Sequence, residues 1–147
     1  MIYATGIIAE YNPFHNGHLY QLREATRLTG QPVVVAMSAS FMQRGEPACL
    51  SKWLRARLAV ENGAALVLEL PTPWAVSGAE RFARGGVELL EKTGVVTHLA
   101  FGSECGNLEA RRRVGAWLSG EGFQETLRRR LEGGETFARC RQAAVEE

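Results

Sequence analysis

The chain has 147 residues, the usual length of one domain that can bury its own hydrophobic core. With 46% hydrophobic residues, 22% charged residues and a net charge of +1, it has the composition of an ordinary globular protein, and its charge gives no general affinity for nucleic acid or membranes. Its three cysteines are far apart in the sequence and form neither a disulfide framework nor a zinc-binding spacing. We therefore expect reduced thiols, a cytoplasmic location and no membrane partner.

The first two thirds of the chain alternate between apolar runs and segments of helical period. Near-continuous apolar runs predict buried strands of a parallel sheet at residues 2–9, 32–37, 65–70 and 98–101. Apolar residues at helical spacing predict helices between these strands, and Gly30, Gly63 and Gly94 follow them as C-cap glycines do. The alternation predicts the α/β class, with a Rossmann-like, doubly wound parallel sheet.

The pattern changes after Gly102, where no further strand is predicted. Helical periods occupy residues 108–118, 123–131 and 136–145. A complete Rossmann-like sheet has about five strands or more, so this one is short by at least one. We expect residues 1–106 to form a nucleotide-binding domain. Residues 107–147 are expected to be a helical extension that begins a second half of a longer protein.

The loop after the first predicted strand carries the strongest functional signal, the sequence Tyr11-Asn12-Pro13-Phe14-His15-Asn16-Gly17-His18. A helix that starts near Asn16 would place both imidazoles in or beside its first turn. The start of a helix offers unpaired backbone N–H groups and a partial positive charge, which suit a phosphate. Gly17 removes a side chain that would hold a phosphate away from the backbone.

Two interpretations of the histidine pair remain possible at this point. In the first, His15 and His18 donate hydrogen bonds to the phosphate oxygens on which charge develops during phosphoryl or nucleotidyl transfer. In the second, one histidine caps the helix, the other faces the core, and neither takes part in chemistry. The preceding strand and the amphipathic helix that follows favour the functional interpretation.

Other charged residues fall in loops that should lie at the same edge of the sheet. Arg44, beside Gly45, and Lys52, at the start of the second predicted helix, are possible phosphate contacts, although an ordinary surface loop is equally consistent. Glu10 could orient a histidine or lie near Mg²⁺, but one carboxylate is weak evidence for a metal site, and no metal-ligand residues are predicted. The sequence contains no P-loop and no G-x-G-x-x-G fingerprint.

These motifs resemble the H-x-G-H nucleotidylyltransferase superfamily, a group with a Rossmann-like (HUP) fold. The similarity is closest to one branch, the bacterial tRNA(Met) cytidine acetate ligases, and extends over residues 1 to about 110. Beyond the segment Gly6 to His18, the resemblance rests on Phe41-x-Gln43-Arg44-Gly45-Glu46-Pro47, Lys52-Trp53, Glu61-Asn62-Gly63-Ala64, Glu69-Leu70-Pro71 and Phe101-Gly102-Ser103-Glu104.

The resemblance implies an ATP-dependent ligase that forms acetyl-adenylate and acetylates N4 of the wobble cytidine of elongator tRNA(Met). Its substrates would be ATP, acetate and the tRNA, with Mg²⁺ as the expected metal ion. The catalytic residues would be His15 and His18. The implied ATP contacts are Ile7, Ile8, Ala9, Glu10, Tyr11, Asn12, Pro13, Phe14, His15, Asn16, Gly17, His18, Leu19, Tyr20 and Gly102.

Two other functions remain open. The chain could be a small-molecule nucleotidylyltransferase that makes an adenylylated cofactor precursor, but the late Ser/Thr-rich motif of such enzymes is missing. It could also be a non-catalytic ATP- or RNA-binding paralogue. The arginine runs 111–113 and 128–130 do not decide between these, because three adjacent positions spread around a helix and acidic residues interleave with them.

Overall fold

The computed structural model of the protein describes residues 2–103, 106–134 and 136–146. They group into two compact units that divide between Gly102 and Ser103. That residues 1–106 bind ATP and that residues 107–147 begin a second half both stay predictions.

The first unit is built on a four-stranded parallel sheet with the strand order β3-β2-β1-β4. The strands are β1 (Ala4–Ala9), β2 (Val33–Ser38), β3 (Ala64–Leu70) and β4 (Val96–Leu99). Every residue of β2 is buried, as expected for a central strand with helices on both faces. The predicted α/β class and doubly wound parallel sheet are confirmed.

The helices of this unit connect consecutive strands and cover both faces of the sheet. They are α1 (Asn16–Thr29), α2 (Lys52–Glu61), α3 (Thr72–Ala75) and α4 (Ala79–Glu91). Helix α1 ends at Gly30, which has φ +66° and donates its N–H to the Thr26 carbonyl over 2.8 Å. This conformation favours glycine, so the predicted C-cap at Gly30 is confirmed.

Two apolar layers hold the helices against the sheet. On one face, Leu22 and Ala25 of α1 and Ala59 of α2 pack with side chains from β1 and β2. On the opposite face, Leu90 of α4 packs with Val34 and Ala36 of β2 and with Ala4 of β1. The backbone of α4 comes close to the sheet at Gly86, where an added Cβ would lie 2.7 Å from the Ile8 side chain. The sheet that carries the loop after β1 is therefore packed against helices on both of its faces.

All four predicted strands differ from the observed ones in their bounds, two of them by one residue and two by two residues. Strand β1 begins at Ala4 rather than Ile2, and β4 spans Val96–Leu99 rather than residues 98–101. Among the described strands, β4 pairs only with β1, and it starts two residues after Gly94, which has φ +69°. Only two of its four residues, Val96 and Leu99, are apolar, and three of the four are exposed, so the strand is too short and too exposed to give a clear apolar run.

The second unit consists of α5 (Leu108–Leu118), α6 (Glu121–Glu132) and α7 (Phe137–Glu146), close to the predicted helices. Its small core contains Phe123 and Leu127 of α6 with Cys140 and Ala144 of α7. None of the helices within the described part of the chain has the length and hydrophobicity needed to cross a membrane.

Candidate functional site

The strand order reverses between β1 and β4, because β2 and β3 follow on one side of β1 and β4 lies on the other. Open α/β sheets bind ligands at the carboxyl ends of the strands beside such a reversal. The segments that emerge at this edge include residues 10–15 after β1, 39–51 after β2 and 100–102 after β4, and a short connection at Pro71 follows β3. Ala100 donates its N–H to the Gly6 carbonyl over 2.9 Å, which keeps the last of these loops beside β1.

The two histidines lie at the start of helix α1, and the side chain of each accepts a hydrogen bond from a backbone N–H of the same turn. His15 is the N-cap residue, and its Nδ1 accepts the N–H of Gly17 over 3.1 Å. The Nδ1 of His18 in turn accepts the N–H of His15 over 3.3 Å. This reciprocal arrangement is a capping box built from imidazoles instead of the usual hydroxyl and carboxylate. It satisfies two backbone donors that a helix start leaves unpaired.

The capping bonds determine where each neutral imidazole carries its proton. A ring nitrogen that accepts a hydrogen bond has no proton of its own, so both Nδ1 atoms are unprotonated and both Nε2 atoms bear N–H groups. The two rings stack with centroids 3.7 Å apart and an interplanar angle of 23°. The start of α1 therefore presents two imidazole N–H donors on adjacent rings, so capping and donation are compatible roles.

Tyr11 and Phe14 hold His18 in place. The Tyr11 ring, 1% exposed, contacts His18 edge-on with centroids 4.8 Å apart and Phe14 with centroids 5.0 Å apart. Burial lowers the pKa of His18, and the nearby His15 lowers it further, so His18 is neutral at pH 7 in the free protein. Tyr11 has φ +50°, a backbone conformation that costs a non-glycine residue about 1 kcal/mol or more in free energy. This backbone strain therefore lies at the candidate site.

The close approach of the His15 ring explains why residue 17 is a glycine. A Cβ added at this position would lie 3.0 Å from Cε1 and 3.1 Å from Nδ1 of His15. These separations are tighter than ordinary van der Waals contact, so the imidazole would have to shift. Glycine at this position therefore lets the His15 ring fold back over the helix start and accept the Gly17 N–H.

The loop after β2 forms a small hairpin that is attached to the histidine loop. Phe41 and Pro47 pair as an antiparallel bridge, and a 3-10 turn at Gln43–Gly45 forms the tip. The Glu10 carboxylate accepts the Gln43 N–H over 2.6 Å, and the Asn12 side-chain oxygen accepts the Cys49 N–H over 2.7 Å. Glu10 thus holds the second loop, and no contact between its carboxylate and a histidine is seen within the described residues.

Arg55 of α2 joins the ends of β1 and β2, and sequence reasoning missed it. Its side chain is 0% exposed and donates to the carbonyls of Glu10 over 2.6 Å, Ser38 over 3.1 Å and Leu50 over 3.1 Å. It also donates to the carbonyl of Ala39. Burial lowers the pKa of the Arg55 guanidinium, yet arginine stays charged at neutral pH. Helical spacing offered a signal, because Arg55 lies four residues before the core residue Ala59.

The remaining candidates occupy different positions. Arg44 is exposed at the hairpin tip with φ +70°, and Lys52 forms an ion pair with Glu69, so their contact with a phosphate stays a prediction. At Gly102, an added Cβ would meet no atom within 4 Å. Glu104 and Cys105 lie outside the described residues. Among the residues that are described, no cluster of three or more His, Cys, Asp or Glu side chains could hold a metal ion.

Comparison with known proteins finds relatives of high sequence identity. The chain is 48% identical over 143 residues to the tRNA(Met) cytidine acetate ligase of Alkaliphilus metalliredigens, a match covering 95% of this chain and 34% of the relative. It is 48% identical over 146 residues to the ligase of the same name from Syntrophomonas wolfei, covering 97% and 35%. The chain therefore spans about a third of the length of these curated relatives.

A solved structure shares the fold. The crystal structure of Thermotoga maritima TmcAL bound with alpha-thio ATP matches with a TM-score of 0.90 and 41% identity, covering 98% of this chain and 36% of that one. The resemblance to tRNA(Met) cytidine acetate ligases is thus confirmed. A family model described as HIGH Nucleotidyl Transferase matches residues 2–147, and the chain belongs to this family.

Proposed function

We propose that this chain is the ATP-binding part of a cytoplasmic, ATP-dependent tRNA(Met) cytidine acetate ligase. An acetate oxygen attacks the α-phosphorus of ATP, the bond to the leaving pyrophosphate breaks, and acetyl-adenylate forms. N4 of the wobble cytidine then attacks the acetyl carbonyl carbon, AMP leaves, and the proton from N4 passes to a base or to water. We infer the substrates tRNA(Met), its cytidine and acetate from the name of the relatives. The crystal structure of the Thermotoga maritima protein with alpha-thio ATP supports ATP as the nucleotide substrate.

The observation that carries this proposal is the histidine capping box. Because both Nδ1 atoms accept backbone N–H groups, both Nε2–H groups remain available to donate to phosphate oxygens at the positive end of α1. His15 and His18 bind the triphosphate and stabilise the charge that spreads over its oxygens as the leaving bond breaks.

The surroundings of the capping box are compatible with ATP. Residues 7–20 lead from the end of β1 into the first turns of α1, and Gly102 follows the neighbouring strand β4 with open space where a Cβ would be. The carboxylate nearest to the histidines in sequence, Glu10, is engaged by the Gln43 N–H. We therefore propose that Mg²⁺ arrives on the phosphates instead of occupying an all-protein site.

One assay tests the proposal directly. The 147-residue chain is incubated with ATP, Mg²⁺ and labelled acetate, with and without tRNA(Met). Acetyl-adenylate and pyrophosphate, followed by N4-acetylcytidine in the tRNA, are the expected products. The His18→Ala variant should lose turnover but keep its circular dichroism spectrum. Full activity of this variant would exclude His18 from the catalytic role.

The same assay separates the alternatives. Pyrophosphate release with a different acceptor would identify a small-molecule nucleotidylyltransferase. ATP binding without pyrophosphate release would identify a non-catalytic ATP- or RNA-binding paralogue. No binding of ATP, measured by calorimetry, would contradict the proposal in all its forms.

A further inference from the structure

A separate concavity lies at the carboxyl ends of β2 and β3, beside the start of α2. Its apolar wall is formed by Met37 of β2, Val67 of β3 and Ala56 of α2. Its volume of about 70 Å³ is roughly five to seven times the ~10–15 Å³ that one water molecule needs. A space of this size accepts the edge of one planar ring, but a whole nucleotide would extend beyond it.

The polar part of this pocket is an ion pair. Lys52 Nζ lies 2.5 Å from Glu69 Oε2, and the two side chains are 30% and 49% exposed. An ammonium has three donors and a carboxylate has about four acceptor positions, so each partner keeps unused hydrogen-bonding capacity. The pocket therefore presents a hydrogen-bond donor directly beside an acceptor.

Trp53 stands at the mouth of the pocket. This indole is 75% exposed although it is one of the largest apolar side chains in the chain, and Lys52 Nζ lies 5.2 Å from its ring centroid. Exposed aromatic rings beside a cation are the surfaces on which unpaired RNA bases stack. A base could thus stack on Trp53 and insert its polar edge toward Lys52 and Glu69.

The pocket and β4 lie on opposite sides of the histidine loop: the pocket is beside β2 and β3, and β4 is on the other side of β1. Ala9, Met37 and Glu69 are paired in register across β1, β2 and β3. With neighbouring strands about 4.8 Å apart, Glu69 lies roughly 10 Å across the sheet from the strand that leads into the histidines. A second substrate can therefore occupy this pocket while ATP occupies the crevice between β1 and β4.

We propose that this pocket recognises the cytosine ring of the RNA acceptor. Glu69 accepts a hydrogen bond from N4–H, Lys52 donates to N3, and Trp53 stacks on the ring. Uracil reverses both positions, because O4 is an acceptor facing the carboxylate and N3–H is a donor facing the ammonium. The identity of the base rests on the proposed function, whereas the preference for cytosine over uracil follows from the donor–acceptor pair.

Nitrogen-15 NMR of the tryptophan indole groups tests this inference. The Trp53 resonance, assigned with the Trp53→Phe variant, is followed as cytidine or uridine is added to the full chain. Cytidine should shift this resonance and bind at least about tenfold more tightly than uridine. In Glu69→Gln, the amide can face the ligand with either its oxygen or its NH₂ group, so the preference should fall below about threefold.

Glu61→Gln is the matched control, because Glu61 is an exposed carboxylate that pairs with Arg57 of α2 and does not line the pocket. It should bind both nucleosides as the wild type does. Equal affinity for cytidine and uridine, or an unmoved Trp53 resonance, would overturn the inference. Acetate that shifts the Trp53 resonance and displaces cytidine would instead make this a carboxylate pocket.

The outcome is independent of catalysis, since nucleoside binding requires neither ATP nor transfer. Cytidine-selective binding in a chain that forms no acetyl-adenylate would leave the pocket assignment standing while the proposed function fails. Conversely, tRNA acetylation by a Glu69→Gln variant with undiminished selectivity for cytidine over uridine would refute the pocket and retain the function.

Discussion

The imidazoles of His15 and His18 stack with centroids 3.7 Å apart, and each ring accepts a backbone N–H from the same helix start. The geometry of helix α1 and the direction of both Nε2–H groups are therefore set by the same two bonds. A substitution at either histidine changes the helix cap and the candidate phosphate donors together. Substitutions that preserve the cap but remove the donor separate these two effects.

Replacing His15 with asparagine should retain the cap and remove the donor. Asparagine is among the best N-cap residues, and its side chain ends near the position of Nδ1, short of Nε2. We expect His15→Asn to unfold at the same urea concentration as the wild type but to bind ATP about tenfold more weakly, as for one lost hydrogen bond. His15→Ala should also lose about 1 kcal/mol of stability. Wild-type ATP affinity in His15→Asn would exclude a phosphate contact by His15.

Gly17→Ala should weaken ATP binding without destabilising the fold. Alanine in a helix is favoured over glycine by about 0.5–1 kcal/mol, which offsets the strain of moving His15 away from the new methyl group. We expect an unchanged melting temperature and an ATP affinity lowered about tenfold. The control is Gly115→Ala in α5, where a Cβ meets no atom within 4 Å. It should gain stability and leave ATP affinity unchanged; equal ATP affinity in both variants would refute the steric explanation.

The lowered pKa of His18 predicts a pH-dependent stability. Because the folded pKa lies below that of the unfolded chain, about 6.5, protonation favours unfolding. The stability associated with neutral His18 is present above about pH 6.5 and is lost as the pH falls through the folded pKa. Urea unfolding between pH 5 and 8 measures this against His18→Asn, which retains an acceptor near Nδ1 but does not titrate. The wild type should lose stability relative to the variant at the acid end; parallel curves would contradict the assignment.

Arg55 should be a major contributor to the stability of the first unit. Its removal leaves the four carbonyl groups that it contacts without their donor, so Arg55→Met should lower the free energy of unfolding by about 3 kcal/mol or more. Arg55→Lys should recover less than half of this, because one ammonium cannot reach all four acceptors. Arg57→Lys is the control: Arg57, two residues along α2, has a 73% exposed side chain paired with Glu61. Its change should stay within about 0.5 kcal/mol, and a similar loss in Arg55→Lys and Arg57→Lys would show that burial is not the cause.

Periodicity predicted most of the fold because the strongest patterns belong to the most buried elements. Strand β2, buried at every position, was predicted within one residue at each end. The short helix α3 and the 3-10 turn at Gln43–Gly45 were missed, because four and three residues are too few to show a helical period. The predicted position of the edge strand β4 was wrong by two residues at each end, because its residues are largely exposed.

The candidate site was predictable in its location but not in its internal contacts. A glycine between two histidines after a strand indicated a phosphate-binding helix start, yet the sequence could not show that His15 and His18 cap that helix through Nδ1. Nor could it distinguish Arg55 from Arg57, the other arginine of α2, since only the folded chain brings the carbonyls of Glu10, Ser38 and Ala39 together.

The fastening of the hairpin loop to the histidine loop has an energetic consequence. Glu10, Asn12 and Arg55 each tie the two segments together before any substrate is present. A flexible loop would lose about 1–2 kcal/mol of backbone entropy for each residue ordered on binding. Because these residues are already ordered, most of the interaction with an arriving triphosphate can appear as affinity, and a substrate should find the rim of the site in its final shape.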